Sequence, residues 1–252
     1  MSNILAIANR ELKSYFSTPI AYVVIGFFAL LWGYFFYAMV IIFDQQSAGL
    51  EGQGTANMNQ QLIRPLFLNA SVILLFVLPL ITMRTYSEEK RSGTIELLLT
   101  SPLTDFQIIM GKFLGAMGLF GAMLAVTLVH MALLFSYGNP EWRTVASGYG
   151  GLLLMGGGFI AVGLLISSLT KNQIVAGMVT FAVFLLLWVI NWIASFTSPT
   201  TQAVLNYLSI TDHFDDFTKG VVDTKHLVYY VSVISLGLFL TARAVDTERW
   251  KG

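Results

Sequence analysis

The chain has 252 residues, of which 56% are hydrophobic and 11% are charged, with 14 basic against 14 acidic side chains. Globular proteins have about 25% charged residues, so half of the usual solvating charge is missing, which argues against a soluble domain. The zero net charge gives no reason to expect a nucleic-acid partner. The lack of cysteine excludes disulfides, thiolate catalysis and cysteine-ligated metal.

Six apolar windows meet or approach the length needed to cross a bilayer. A hydrocarbon core about 30 Å thick needs about 20 helical residues, and every backbone polar group must be paired within it. None of the windows contains Asp, Glu, Lys or Arg; they are residues 20–43, 66–83, 113–137, 149–169, 174–196 and 227–242. The last is short and is expected to borrow the flanking Lys225 and His226, whose side chains can reach toward the interface. We predict an all-α integral membrane protein, with six transmembrane helices in a single domain over residues 1–252.

The lysines and arginines predict the orientation of the spans, because basic residues in short loops are retained on the cytoplasmic side. With the N-terminus inside, ten of the fourteen basic residues fall on inner segments. These are Arg10, Lys13, Arg84, Lys90, Arg91, Lys112, Lys171, Arg243, Arg249 and Lys251. Both termini are therefore predicted to be cytoplasmic.

The first eighteen residues have the periodicity of an amphipathic helix lying in the membrane interface. One face of this helix consists of Leu5, Ala8, Leu12, Tyr15 and Phe16. Thr18 and Pro19 have the residue types of an N-cap and a first helical position, so they predict an elbow before the first span. An ordinary solvated leader is the alternative.

The predicted inner loop over residues 84–112 holds the densest charge in the chain. Its mixed-sign cluster consists of Glu88, Glu89, Lys90 and Arg91. Gly93 breaks the chain after this cluster, and Pro102 stops the short helix predicted between Thr94 and Thr100.

The short helix between Thr94 and Thr100 has an apolar edge. This edge consists of Ile95, Leu98 and Leu99. A loop of this length does not need three consecutive leucines, which favours a helix that presses on a cytoplasmic partner, with a solvated turn as the alternative. Thr104 and Gln107 then form a capping box that opens the helix running into the third span.

A stripe of small residues follows one face of the third span. It consists of Gly111, Gly115, Gly118, Ala122 and Ala125. Small residues let helices approach closely in lipid, and we interpret the stripe as packing within the chain in preference to a subunit contact.

The last outer loop, residues 197–226, is expected to form short re-entrant helices that dip into or lie on the outer leaflet. Asp212 or Thr211 is the predicted N-cap of one of them, and Gly220 its end. The cluster of Asp212, His213, Asp215 and Asp216 has side chains of the types that can bind a metal. The spacing matches no standard metal signature, and helix capping accounts for the acids.

The chain lacks the sequence signals of an energy source of its own. No G-x-x-x-x-G-K-[ST] phosphate loop is present. His130 is the only ionisable residue of the predicted spans that could serve a proton relay, and we interpret it, like Asn69 and Asn191, as a helix-bonding polar group. A self-sufficient secondary transporter is therefore disfavoured.

Three stretches carry a resemblance to a known family. They are REL and YFSTPIAY within residues 10–22, EEKRSGTIELLLTSP over residues 88–102, and LSI, HF, F and GVVD within residues 208–223. In them the chain resembles the permease subunits of ABC-2-type ABC transporters, most closely the GldF-like branch named for gliding-motility systems.

The resemblance implies that Thr94 to Thr100 is a cytoplasmic coupling helix docking into a groove of a separate ATPase. The implied coupling residues are Glu88, Glu89, Lys90, Arg91, Thr94, Ile95, Glu96, Leu98 and Leu99. No catalytic residue, cofactor or metal is expected in this chain, because the partner ATPase would bind ATP and Mg.

The resemblance also implies an assembly in a bacterial cytoplasmic membrane. It would contain two permease chains, identical or related, and two ATPase subunits, and in the GldF branch a membrane protein with a large extracytoplasmic domain. The implied function is export: ATP binding by the partner shifts the coupling helix and tilts the spans. The alternative is a membrane scaffold whose ATPase powers mechanical or assembly work on a periplasmic partner without carrying a substrate.

Overall fold

The computed structural model describes residues 2–49, 57–95, 103–194 and 196–249. Within these residues every regular element is helical. The helices are α1 (Ser2–Ser17), α2 (Pro19–Gly49), α3 (Arg64–Thr82), α4 (Ser87–Ser92), α5 (Asp105–Tyr137), α6 (Trp142–Leu169), α7 (Gln173–Ala194), α8 (Pro199–Leu208), α9 (Ile210–Thr218) and α10 (Thr224–Arg249). A π-helical turn, Asn59–Ile63, leads directly into α3.

Six of the described helices are long and apolar enough to cross a membrane: α2, α3, α5, α6, α7 and α10. Each overlaps one predicted window, so the prediction of an all-helical integral membrane protein is confirmed. Most of these helices extend beyond their apolar windows. Lys112 is consequently a residue of α5, and both Lys225 and His226 belong to α10.

Helices α3 and α6 form the centre of the bundle. In each, 67% of the most apolar window is buried, against 11% in α2 and 22% in α7. Glycines on α6 allow the close approach: Gly148 lies against the ring of Phe67, and Gly156 lies against the ring of Phe120. A side chain at either glycine would overlap a ring, so these positions set the distance between neighbouring helices.

Helix α1 lies along the first half of α5, in the groove left by the glycine stripe. A Cβ atom at Gly111 would stand 2.5 Å from Ile7, and one at Gly115 would stand 2.6 Å from the Cβ of Glu11. This part of the stripe packs within the chain, as predicted. Its far end does not, because Ala125 is exposed.

The buried face of α1 is the predicted one in large part, because Ala8, Leu12 and Phe16 are partly buried against the bundle. Leu5 is 63% exposed, whereas Ile7 and Tyr15 are buried. The contact with α5 extends the buried side to Ile7 and Glu11, which lie against Gly111 and Gly115, and leaves Leu5 outside it. The chain does break before Pro19, and Thr18 donates its hydroxyl back to the Tyr15 carbonyl of α1.

Two short helices, α8 and α9, lie between α7 and α10. The apolar face of α9 is buried, with Phe214 and Phe217 against Gly151 of α6. The N-cap of α9 is Ser209, whose hydroxyl accepts from the backbone N–H of Asp212, so the prediction of Thr211 or Asp212 as the cap was wrong. The helix ends before Gly220, which has a positive φ of 86°.

Candidate functional site

The described ends of the segment between α3 and α5 have the local structure that Gly93 and Thr104 predict, while Pro102, the predicted end of the helix from Thr94, lies outside the described residues. Helix α4 ends at Gly93, which adopts the left-handed conformation with φ 74° and starts a new helical segment at Thr94 and Ile95. The predicted capping box is present, because Thr104 accepts from the backbone of Gln107 and the Gln107 side chain accepts from the backbone of Thr104.

The predicted coupling residues do not share one environment. Glu88, Arg91 and Thr94 are exposed, whereas Lys90 and Ile95 are buried. Ile95 packs into the apolar core of the protein. Glu89 is partly buried, and the other three predicted coupling residues, Glu96, Leu98 and Leu99, lie outside the described residues.

A buried lysine of α5 joins three elements at this end of the bundle. The side chain of Lys112 is 1% exposed, and its Nζ lies 2.7 Å from Glu89 Oε1, 3.1 Å from Glu11 Oε1 and 3.0 Å from the carbonyl oxygen of Thr85. We call these four residues the Lys112 cluster. An ammonium group has three donors, so this geometry gives each N–H one acceptor.

The Lys112 cluster offsets the free-energy cost of burying a lysine, and nothing in the sequence indicated that Lys112 is buried. Burying a charge is expensive unless it is paired and hydrogen-bonded, and here the two carboxylates come from α1 and α4. Lys112 and Glu11 are 101 residues apart, so no local pattern could have paired them. The capping box at Thr104 could have placed Lys112 on a helix, but not chosen the face it occupies.

Electrostatics keep Glu11 ionised at neutral pH. Burial raises the pKa of Glu11, but Lys112 and Arg10 outweigh that effect and hold the pKa below its ordinary value. Arg10 lies 2.9 Å from Glu11 and 3.8 Å from Glu89, so it covers the cluster from the surface.

Two further contacts fasten the segment before α4 to the bundle. The Ser167 hydroxyl of α6 accepts from the backbone N–H groups of Tyr86 and Ser87, at 3.1 Å each, and donates to the carbonyl of Met83. From α1, Tyr15 lies within 3.4 Å of the Thr85 hydroxyl, and burial raises the pKa of Tyr15 to about 12. The segment that precedes Thr94 is thus tied to α1, α5 and α6.

A cavity of about 570 Å³ opens beside the Lys112 cluster. Its lining includes Arg10, Glu11, Arg84, Glu88, Glu89 and Thr94. Two buried polar atoms of this lining, Arg84 Nη1 and Glu89 Oε2, have no hydrogen-bond partner among the described residues. Arg84 also pairs with Glu88 at 3.0 Å. Arg84 and Glu89 thus line the cavity, while these two buried atoms are closed off from it.

The acidic cluster of α9 is divided among different partners. Asp212 accepts from Asn191 at 2.9 Å, Asp215 pairs with Arg64 at 2.9 Å, and Asp216 contacts His226 at 2.8 Å. In the part of the chain that the structure describes, no group of three His, Asp or Glu residues is placed to hold a metal ion.

The polar residues predicted to bond neighbouring helices have different environments. Asn191 bonds α7 to α9 through its contact with Asp212. His130 instead packs its ring edge-to-face on Phe36 of α2, and its Nδ1 finds no hydrogen-bond partner among the described residues. His226 is buried and bonded to α9, so its side chain does not reach outward as expected.

Comparison with known proteins identifies the family. Residues 47–211 match the family described as "ABC-2 family transporter protein". The chain belongs to the ABC-2 family. Members are membrane subunits whose ATP hydrolysis is done by a separate ATPase, so this ABC-2 chain is not itself an enzyme.

Two relatives are similar over most of the ABC-2 chain. They are the proteins named "Probable multidrug ABC transporter permease YbhR" in Escherichia coli K12 and in Escherichia coli O157:H7. Each is 27% identical over 204 residues, which covers 73% of this chain and 54% of the relative. The chain thus spans about half the length of the curated relatives it matches.

Proposed function

We propose that the chain is the permease subunit of an ABC-2 transporter, an exporter driven by a separate ATPase that docks at the cavity and at residues 94–100. The observation that carries this proposal is the Lys112 cluster. It connects the segment leading into residues 94–100 to α1 and to the third membrane-spanning helix. A force applied to that segment therefore reaches the spans through buried, charged contacts.

The Lys112 cluster can transmit movement from the segment before Thr94 to the spans, because separating its residues costs free energy. Moving α4 away from α5 would leave the Lys112 ammonium or the Glu89 carboxylate without its partner in a buried place. Breaking a buried ion pair costs several kcal/mol, about 3–5 in measured cases. The helices α1, α4 and α5 are therefore expected to move together when the ATPase pulls or pushes on residues 94–100.

The cavity supports the choice of docking surface. Arg84 Nη1 and Glu89 Oε2 are buried polar atoms without partners in the described chain, and both residues line the cavity. Buried polar groups in native proteins are nearly always satisfied. Because both atoms are closed off from the cavity, we infer that the lining shifts when the ATPase docks and lets its polar groups reach them. The exposed Glu88 and Arg91 lie beside this surface, and Glu96, Leu98 and Leu99 enter the groove of the ATPase.

The proposed assembly contains two copies of the permease and two ATPase subunits, which bind ATP and Mg. It lies in a bacterial cytoplasmic membrane with both termini of the permease in the cytoplasm. The residues quoted for the GldF-like resemblance support that branch, with an accompanying membrane protein that has a large extracytoplasmic domain. Because the relatives are named as multidrug permeases, drug-like molecules are the first substrate class to test.

The experiment uses the permease co-expressed with its ATPase and replaces Glu96 and Leu98 together by alanine. The double variant is expected to lower ATPase co-purification, or to abolish its stimulation in proteoliposomes, with the helical content of the spans unchanged. The control is Leu169→Ala, a leucine of α6 that is 67% exposed. Normal binding and stimulation after both changes would show the coupling assignment to be wrong.

A transport assay in the same proteoliposomes separates export from the scaffold alternative. An exporter should accumulate a drug-like substrate inside inverted vesicles when ATP is supplied, and the Glu96 and Leu98 variant should not. ATPase stimulation without movement of any tested compound would favour a scaffold that works on a periplasmic partner.

A further inference from the structure

Two buried histidines at the α9 end of the bundle form a continuous chain of contacts. His226 Nε2 lies 2.8 Å from Asp216 Oδ2, and His226 Nδ1 lies 2.7 Å from His213 Nδ1. His213 Nε2 lies 3.0 Å from the carbonyl oxygen of Tyr207. These contacts join α8, α9 and α10, and we call His213, His226 and Asp216 the histidine chain.

The number of protons in the histidine chain follows from its acceptors. A hydrogen bond needs one proton, so three contacts need three. The Tyr207 carbonyl can only accept, which places a proton on His213 Nε2, and the contact between Asp216 and His226 needs a second. Two neutral imidazoles supply only these two protons. The Nδ1 atoms would then face each other with lone pairs at 2.7 Å, which is repulsive.

We propose that the histidine chain is a proton-binding site that holds one proton beyond those of two neutral histidines at neutral pH. This proton closes the Nδ1 to Nδ1 contact and thereby fastens α8 and α9 to the start of α10. The carboxylate of Asp216 balances its charge, so the three groups together are neutral. The site is independent of the proposed coupling of this ABC-2 chain to an ATPase.

The surroundings indicate which group carries the extra proton. Burial lowers the pKa of His213, which favours the neutral ring there. Burial raises the pKa of Asp216, but hydrogen bonds from His226 and Lys219 outweigh it and lower the pKa overall. Asp216 is therefore a carboxylate, and the extra proton lies in the contact between His226 and His213, on the far side of the His226 ring from that carboxylate.

The other charged side chains near the histidine chain already have partners. Asp212 accepts from Asn191 of α7, and Asp215 binds both Arg64 of α3 and Lys219. The titratable and charged groups around the site are Asp212, Asp215, Lys219, Arg64, Tyr207, Asp223, Lys225, Tyr229 and Tyr230. Helix α6 meets α9 through uncharged contacts, with Ser147 donating to the Phe217 carbonyl.

The extra proton gives this end of the bundle a stability maximum near neutral pH. An unfolded chain has histidines with pKa near 6.5, so well below this pH the two rings bind two extra protons and well above it none. The folded chain binds one. Below about pH 6.5 the unfolded state binds more protons and stability rises with pH; above it the folded state binds more and stability falls with pH.

Release of the proton is expected to loosen α8. None of its ten residues, all of them described, is buried, and apart from the histidine chain its polar contact with α10 is the Leu208 carbonyl, which accepts from Tyr229 at 2.9 Å. The Tyr207 carbonyl is its polar contact with His213, whose ring also stacks on Tyr229 of α10 at 3.8 Å between centroids. A solvent-open pocket of about 400 Å³, lined by Tyr207, His213 and His226, gives the proton a path to water.

The direct test is solid-state nuclear magnetic resonance of the full chain in bilayers with ¹⁵N-labelled histidine. The chain has three histidines, so each ring can be assigned. At pH 7.5 an ordinary histidine is about 10% protonated. We expect one ring with both nitrogens protonated at close to full occupancy, and a nitrogen–nitrogen coupling across the His213 and His226 pair.

The controls for this measurement are His226→Gln and His130→Gln. The first should remove both the imidazolium signal and the coupling, and the second should leave them unchanged because His130 lies in α5 against Phe36. Three neutral rings without coupling in the wild-type chain at pH 7.5 would overturn the proposal. The wild-type spectrum decides the matter even if a variant fails to fold.

A second measurement tests the fastening of α8. The chain has no cysteine, so Val204→Cys on α8 and Val228→Cys on α10, both exposed in the wild type, can carry paired spin labels. The distance distribution should be narrow at pH 6.5 and at least twice as broad at pH 9. Adding His213→Phe should make it broad at both values. A distribution that does not change with pH would show that the proton does not hold α8.

Discussion

The Lys112 cluster and the histidine chain place buried basic nitrogens at opposite ends of α3. Arg64 at the start of α3 binds Asp215, next to the histidine chain, and Thr85, just beyond the end of α3, binds Lys112. Both regions join three helices through hydrogen bonds between charged groups. They differ in how the nitrogen obtains its protons.

The Lys112 ammonium has three donors for three acceptors and needs nothing from the solvent. The histidine chain has three contacts but only two protons when its rings are neutral, so it must take one from water. A lysine keeps its charge across the physiological range, whereas histidine changes charge within it. The Lys112 cluster therefore stays charged at one end of the bundle, whereas the histidine chain can gain or lose its extra proton at the other end.

The largest expected effect comes from removing the permanent charge. Lys112→Met should lower the free energy of unfolding by about 3–5 kcal/mol, because Glu11 and Glu89, both partly buried, would keep only the exposed Arg10 as a cation. Equilibrium unfolding of the detergent-solubilised wild-type and variant chains measures this difference in free energy. Lys13→Met, which replaces an exposed lysine of α1, should change stability by less than about 0.5 kcal/mol.

Neutralising the carboxylates should restore much of that loss. The triple variant Lys112→Met with Glu11→Gln and Glu89→Gln removes the unpaired charges, and it should be more stable than Lys112→Met alone. If the triple variant is no more stable than Lys112→Met alone, the Lys112 cluster is stabilised by packing of the lysine methylene groups and not by the charge.

A smaller effect is expected from moving α1 without changing charge. Gly115→Ala places a Cβ atom 2.6 Å from the Cβ of Glu11, so α1 must shift, at a cost of about 1–3 kcal/mol. Faster proteolysis or hydrogen exchange of α1 would record the shift. The matched control is Gly121→Ala on the same helix, whose added methyl meets nothing within 4 Å. Equal rates of α1 proteolysis or hydrogen exchange in the two variants would mean that the position of α1 does not depend on its contact with Gly115.

The smallest effect is the pH dependence of the Lys112 cluster. Glu11 has a pKa below its ordinary value of 4.5, so its contribution to stability is present above pH 4.5 and is lost as pH falls through the lowered pKa. The difference in unfolding free energy between the wild type and Glu11→Gln should therefore be constant between pH 6 and 8 and shrink at strongly acidic pH. The prediction would be wrong if this free-energy difference declined between pH 6 and 8, because the Lys112 cluster would then titrate in the range expected of the histidine chain.

Local sequence signals predicted much of the fold. The apolar windows predicted all six long helices, and the residues around Gly93 and Thr104 predicted where the segment between α3 and α5 breaks and resumes. These features depend on contacts within about four residues along the chain, which is why they can be inferred without a structure. The N-cap of α9 was missed because three closely spaced residues, Ser209, Thr211 and Asp212, have side chains that could each serve as the cap.

The sequence by itself determined that this chain is a bundle of membrane-crossing helices and that its charges lie near the ends of those helices. Only the tertiary structure decided which charges meet. Lys112 finds Glu11 across 101 residues, and His213 finds His226 across 13, because helix packing rotates these faces toward one another. Spans that are apolar on all sides carry no periodic signal for that rotation, and the close approach of α1 to Gly111 and Gly115 supplies it instead.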